Sequence, residues 1–201
     1  MIKEPLYSHG PNHKFGQYPM SQNQLALPML SMALDYENPT VVIEVGTQQG
    51  GLVCGLTELD VRGMQFISVD ITDQRTDEVK DSFLRHGITF ELGDCFSVVP
   101  RLMKRFEKNK VVILCDGGDK NKEMKLFRPL CKPGDVIAAH DWTYAVNARV
   151  EKDGNNFWAW SEFNFDLRTD LFDPEQENFE YPWYAKQLSF AAWFCQVRKQ
   201  L

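Results

Sequence analysis

The segment Ile43-Glu44-Val45-Gly46-Thr47-Gln48-Gln49-Gly50-Gly51 constrains this chain more than any other stretch. An apolar run stops at a glycine-rich turn, and a second apolar run, Leu52-Val53-Cys54-Gly55-Leu56, follows at once. Strand, tight turn and helix in that order leave backbone N–H groups and bare backbone at the carboxyl edge of a sheet. In open α/β sheets that edge is where ligands bind.

The same alternation runs on. Strands are expected over residues 41–45, 66–70, 88–92, 111–116 and 136–139, and helices over 51–59, 76–85, 96–106 and 120–130, the last broken by Pro129. The runs VVIEV, VVIL and VIAA are continuously apolar, as in strands covered by helices on both faces. Strand–helix alternation with short connections predicts an α/β fold with a Rossmann-like, doubly wound, mostly parallel sheet. Gly87 stands where a C-cap glycine belongs.

The ends read differently. Residues 1–20 read as an irregular arm and 21–201 as a single domain. Ser21-Gln22-Asn23-Gln24 resembles a capping box opening a helix through Leu27, Leu30 and Leu34, with Pro28 tolerable in its first turns. Residues 156–171 are expected to be helical and 189–198 to form a final strand, while 172–188 carry no decisive pattern.

Bulk properties exclude several classes of partner. A net charge of −6 argues against a nucleic-acid surface, which needs clustered Lys and Arg. The basic group Arg101, Lys104, Arg105, Lys108 and Lys110 reads as a solvated helix face and its C-terminal end. Five scattered cysteines without a CxxC pair suit reduced, buried thiols. No signal-like start and no membrane-length apolar run stand in the sequence, so a cytoplasmic protein without membrane contacts is expected. A homo-oligomer stays open.

Details of the turn select its ligand. The spacing is Gly-x-x-x-Gly with Gln at 48, so the dinucleotide fingerprint GxGxxG is absent. No Lys-Ser/Thr follows Gly51, so it is not a phosphate-cradling P-loop. Glu44 precedes the first glycine by two positions, Asp70 ends the second strand, and Asp94 follows the third. Asp70 is placed to accept the two hydroxyls of a ribose. Carboxylates without adjacent Lys or Arg match a cationic nucleoside lacking phosphate: a sulfonium with an ammonium group fits, NAD and ATP do not.

On these residues the sequence resembles the class I S-adenosylmethionine-dependent methyltransferases. EVGTQQG is similar to their first motif, SVD to the second and LGDCF to the third, over roughly residues 20–145. The resemblance implies a seven-stranded sheet whose last strand is antiparallel. It implies that Glu44 and Gly46, with Thr47 and Gly50 in the same turn, lie along the methionine moiety. Asp70 and Ile71 would then hold the ribose side, and Asp94 with Cys95 would flank the adenine.

Beyond the donor, Asp116 ends the fourth strand and His140-Asp141-Trp142 ends the fifth, so Asp116, His140 and Asp141 can converge on Mg²⁺ or another divalent cation. Such an ion would lower the pKa of an acceptor hydroxyl and align its oxygen. The pattern resembles the metal-dependent O-methyltransferases, within them the branch labelled cephalosporin hydroxylase or rhamnosyl O-methyltransferase-like. Much of that branch carries His three residues after the strand-four Asp, where this chain has Asp119 followed by Lys120. Either Asp119 or Lys120 is therefore the candidate base, beside His140. By the same resemblance Trp142 and Glu162 border the pocket of a small hydroxyl-bearing acceptor, Glu162 through a W-x-W-x-E pattern.

Blander readings stand beside these. Asp116 can serve the cofactor or a helix cap, His140 can be a hydrogen-bonded core residue, and Trp158 and Trp160 can be packing. Two further functions compete: an oxygenase using His140, Asp116 and Asp141, and a non-catalytic nucleoside-binding module.

Overall fold

The computed structural model describes residues 14–15, 18–20, 22, 25–59, 63–141, 178–191 and 193–199. Two short strands, β1 (Lys14–Phe15) and β2 (Tyr18–Pro19), pair antiparallel ahead of α1 (Ala26–Glu37). Then β3 (Val41–Val45), α2 (Gly51–Glu58), β4 (Gln65–Asp70), α3 (Asp77–His86), β5 (Thr89–Leu92), α4 (Cys95–Arg105), β6 (Val111–Cys115), α5 (Lys120–Phe127) and β7 (Val136–Ala139) alternate. The described chain closes with β8 (Phe179–Glu180), α6 (Ala185–Phe190) and β9 (Phe194–Arg198).

Seven strands form one sheet in the order β5-β4-β3-β6-β7-β9-β8. The first five are mutually parallel, and β9 runs antiparallel to both β7 and β8. This is the doubly wound, mostly parallel sheet that the apolar runs predict, with the antiparallel last strand that the resemblance implies. Chain order reverses between β3 and β6, so the ligand crevice of such a sheet opens beside the glycine turn that follows β3.

Both sheet faces are covered. Val42, Phe66, Val112, Leu114 and Ala138 pack with Leu27, Leu30, Leu34, Leu56, Phe83 and Leu188 from α1, α2, α3 and α6. Val41, Ile43, Ile67, Ile113 and Ile137 point the other way, onto Val99, Leu102, Met124 and Phe127 from α4 and α5. Alternate residues of one strand thus serve two cores, which is why these runs lack a polar phase.

Local chemistry sets the helix ends. The Thr76 side chain accepts from Val79 N at the start of α3, Asp77 and Glu78 follow in its first turn, and Gly87 ends it at φ 66°. Pro129 stops α5 at Phe127, and one turn of 3₁₀ helix follows over Arg128–Leu130.

Three expectations change. The capping box is not used: α1 begins at Ala26 behind Leu25 without a side-chain cap, and the Gln22 amide is spent elsewhere. The last strand is shorter than residues 189–198, because Ala185–Phe190 is helical and pairing with β7 starts at Phe194. The strand period there is set by Ala138↔Cys195 pairing, a long-range contact that no local pattern signals. Within the stretch without decisive pattern, Phe179–Glu180 adds the edge strand. The expected helix over 156–171 lies outside the described residues.

The segment read as the end of an irregular arm packs into the domain. Tyr18 and Met20 are buried, and the Tyr18 hydroxyl donates to Glu58 Oε1 at 2.9 Å. A Cβ on Gly51 would overlap the Pro19 carbonyl and come within 3.0 Å of Met20 Cα, so only glycine lets the arm lie across the start of α2.

Candidate active site at the carboxyl edge

Strand register brings the motif residues together. Val45 pairs with Val69 and with Cys115, and Cys115 pairs with Ala139. The residues that follow, Gly46, Asp70, Asp116 and His140, therefore emerge side by side at the carboxyl edge. Gly46 has φ +89°, and a Cβ there would overlap the Asp116 carbonyl oxygen and lie 2.9 Å from Gly117 N. The turn and the Asp116 loop approach this closely only because Gly46 has no side chain.

On the β4 side, Asp70 Oδ2 accepts from Gln48 N at 2.8 Å and Asp70 Oδ1 from Thr72 N at 3.0 Å. Gln48 is held at φ 46°, a conformation its own side chain disfavours, so the Asp70 carboxylate fixes the turn. Ile71 is 73% exposed beside it. Gly50 begins α2 at φ 80°, packed against Val79 and Phe83. Asp94 accepts from Phe96 N at 3.1 Å as the cap of α4, and burial pushes the Cys95 thiol up to about 11. These two stand at the end of β5, beside the Asp70 end of β4.

Glu44 departs from the picture of a charged rim. It is 2% exposed and accepts from Ser68 Oγ, which in turn lies 2.6 Å from Thr47 Oγ1. Burial pushes its carboxyl up to about 8, against the pull of the Ser68 hydrogen bond. Near neutral pH Glu44 enters the site as a largely uncharged carboxyl. The folded protein then holds a proton that the unfolded chain releases above its ordinary value of 4.5, so folding stability falls as pH rises from about 5 to 8. Glu44→Gln should flatten that decline, by about 1 kcal/mol per pH unit, in urea melts compared at pH 5.5 and 8.

The β6–β7 side carries the densest charge. His140 Nδ1 lies 3.0 Å from Asp116 Oδ1 and 3.2 Å from Asp141 Oδ1. Lys120 Nζ bridges to Asp141 Oδ2 at 2.8 Å, stands 3.7 Å from Asp116 Oδ1 and donates to the Gly117 carbonyl at 3.0 Å. His140 and Lys120 are buried, and Asp141 sits at φ 63°. Burial opposes charge on His140, but Asp116 and Asp141 outweigh it and raise the imidazole above its usual value. Burial likewise works against the Asp116 carboxylate, and His140, Lys120 and Gln22 together hold it below the ordinary range.

Among the described residues, Asp116, His140 and Asp141 form the one His/Cys/Asp/Glu group whose donor atoms all lie within 4.8 Å of one another. Two carboxylates and an imidazole fit a hard-to-borderline divalent cation, and the buried Lys120 ammonium balances part of their charge. Asp119 instead caps α5, accepting from Lys122 N at 3.0 Å, and is exposed. Trp142 and Glu162 lie outside the described residues.

Four further residues belong here: Gln22, which reads only as part of a capping box, Ser68, which reads only as the first residue of SVD, and Glu123 and Trp193, which no motif marks. The Gln22 amide donates to Asp116 Oδ2, and its Oε1 is buried without a partner. Ser68 links Glu44 to Thr47. Glu123, buried and pushed up by that burial to about 7, accepts from Gly117 N and Asp119 N at 3.3 and 3.4 Å and pins the loop after β6. Trp193 packs its ring 5.0 Å from that of His140.

The fold recurs in solved structures. CmcI in a form described as Mg-SAM superposes with TM-score 0.61 at 14% identity, over 94% of this chain and 77% of that one. This chain has the Rossmann-like fold of these methyltransferase structures. The SAH-bound Podospora anserina methyltransferase PaMTH1 matches with TM-score 0.57 at 12% identity, over 90% of this chain and 80% of that one. An O-methyltransferase from Bacillus cereus in complex with SAH matches with TM-score 0.56 at 13% identity, over 91% and 84%. No family model and no curated protein sequence matches. In the methyltransferase fold, Gly46 and Asp70 occupy the first two strand ends of the parallel half, and Asp116 and His140 the next two on the other side of the switch point. Among the described residues no helix is long and apolar enough to cross a membrane.

Proposed function

We propose that this protein is an S-adenosylmethionine-dependent methyltransferase acting on the oxygen of a small hydroxyl-bearing acceptor, assisted by a divalent cation. The observation that carries the reading is the flush register of β3, β4, β6 and β7. It sets a side-chain-free glycine turn between a ribose-type carboxylate, Asp70, and the Asp116–His140–Asp141 group. Structures of the same fold described as bound to SAM or SAH support the donor, and the CmcI form described as Mg-SAM supports the cation.

The donor brings a methyl group on a sulfonium; Asp116, Asp141 and His140 would hold the cation, which would lower the pKa of an acceptor hydroxyl. Gly46 leaves room for the methionine part, Asp70 accepts from the ribose hydroxyls, and the exposed Ile71 offers apolar surface beside them. In the protein alone, Lys120 is salt-bridged to Asp141 and Asp116 and acts first as a fixed positive charge. His140 Nδ1, facing both carboxylates, would be the imidazole ligand to that cation and so is not free to take the acceptor proton as well. The Asp119 side chain is committed to a helix cap and is exposed. Two carboxylates and one imidazole do not make the two-His, one-carboxylate set of iron oxygenases.

The test is transfer of labelled methyl from S-adenosylmethionine across a panel of sugars, catechols and hydroxy acids. Label should move to oxygen in at least one acceptor, and EDTA should lower the rate at least about tenfold, with Mg²⁺ or Mn²⁺ restoring it. Transfer indifferent to EDTA would remove the cation from the proposal.

A further inference from the structure

We propose that Gln22, delivered by the N-terminal segment, is an oxygen ligand to the divalent cation, completing the Asp116–His140–Asp141 group. The inference rests on the cation-assisted reading above and deepens it.

Gln22 is 5% exposed, yet its carbonyl oxygen Oε1 is buried without a hydrogen-bond partner. An unsatisfied buried amide oxygen is uncommon, since its lost hydration destabilises by about 1–3 kcal/mol. The orphan lies on an amide already against the Asp116 carboxylate: Nε2 donates to Oδ2, while Oδ1 faces His140 and Lys120. The two carboxylate oxygens thus look in different directions, Oδ2 toward Gln22 and Oδ1 toward His140 and Lys120.

Amide carbonyls are hard oxygen donors, of the kind Mg²⁺ and Mn²⁺ take alongside carboxylates. Half a turn about the last side-chain bond exchanges Oε1 and Nε2, and O and N differ little in bulk. That turn sets Oε1 against Oδ2. Two such oxygens repel unless a cation or a shared proton joins them, so the rotation is favoured when the cation is present and the observed hydrogen bond when it is not. The arm is held in place for this by Tyr18 and Met20 in the core and by Gly51, whose missing side chain admits Pro19 and Met20.

The probe is Mn²⁺ alone, titrated into the full-length protein and followed by the electron paramagnetic resonance signal of free Mn²⁺, with thermal melts as the folding check. Wild type should bind about one Mn²⁺ per chain. Gln22→Met, close in shape but without the oxygen, should bind it on the order of tenfold to a hundredfold more weakly. Gln22→Glu, which restores an oxygen at the same reach, should bind at least as tightly as wild type. A purely structural Gln22 would not give that rescue. Equal Mn²⁺ affinity in wild type and Gln22→Met overturns the assignment, and so does weaker binding by Gln22→Glu. If Gln22→Met does not fold, the Gln22→Glu comparison decides alone. No Mn²⁺ binding by wild type overturns the assignment together with the cation part of the functional reading. A parallel titration of wild type with S-adenosylhomocysteine shows whether the donor part stands regardless.

Discussion

Gly46→Ala should abolish measurable binding of S-adenosylhomocysteine and lower folding stability by about 2–4 kcal/mol. Two effects add. At φ +89° an alanine is strained by roughly 1–2 kcal/mol, and its Cβ would overlap the Asp116 carbonyl oxygen and press on Gly117 N, both backbone atoms. Backbone on the β6 side cannot rotate away as a side-chain tip can, so the loop after β6 has to move outward. That displacement widens the gap between the turn and Asp116 where the methionine part of the donor would run. Gly87→Ala is the matched control: it too has positive φ, but a Cβ there meets nothing within 4 Å. It should lose about 1 kcal/mol from backbone strain alone and keep ligand affinity. If Gly46→Ala binds the ligand as Gly87→Ala does, the close approach at Gly46 has no role in binding.

Asp70→Ala should weaken S-adenosylhomocysteine about a hundredfold with a smaller loss of stability. Its carboxylate accepts from Gln48 N and Thr72 N, and hydrogen bonds to a charged acceptor contribute about 1.5–3 kcal/mol each. In the proposed complex the same oxygens also accept from the ribose hydroxyls, so removing them takes away the ligand contacts and frees Gln48 from its φ of 46° together. Asp70→Asn separates these roles. It keeps one acceptor oxygen and the shape, so it should hold the turn and lose an intermediate share of affinity, roughly tenfold. Calorimetry with adenosine beside S-adenosylhomocysteine locates the loss. The factor should be similar for both ligands, because both carry the ribose; a deficit confined to S-adenosylhomocysteine would move Asp70 to the methionine end.

The parallel half of the fold was legible because its signal is local. Continuous apolar strands, the Gly87 stop and the turn at Gly46 each declare themselves within a few residues. The antiparallel end was legible only in outline, since Phe194–Arg198 is defined by pairing with β7 across more than fifty residues of chain. Ser21-Gln22-Asn23-Gln24 misled for the opposite reason: a good local pattern gave way to a tertiary contact, Gln22 with Asp116.

Of the site, strand order alone brings Asp70, Asp116, His140 and Asp141 to one edge, so their grouping follows from sequence once the sheet is recognised. Their charge states do not follow. Glu44 looked like a rim carboxylate beside Asp70, but the strand phase that faces Val42 inward faces Glu44 inward too, and burial neutralises it. The electrostatic match to a cationic donor therefore rests on Asp70 and on the Asp116–Asp141 pair, partly offset by Lys120. The roles of Gln22, Ser68 and Glu123 are not legible, although Gln22 lies in the cap-like pattern and Ser68 in SVD, because polar residues acting through a neighbour carry no spacing of their own.

The account stands or falls on whether the crevice beside Gly46 takes the sulfonium donor's nucleoside. Isothermal titration of the wild-type chain with S-adenosylhomocysteine measures this most directly. One site per chain with a dissociation constant at or below about 100 µM, an affinity near 5.5 kcal/mol, is the predicted result. Absence of heat at millimolar ligand, in protein shown to be folded by its melt, would contradict it.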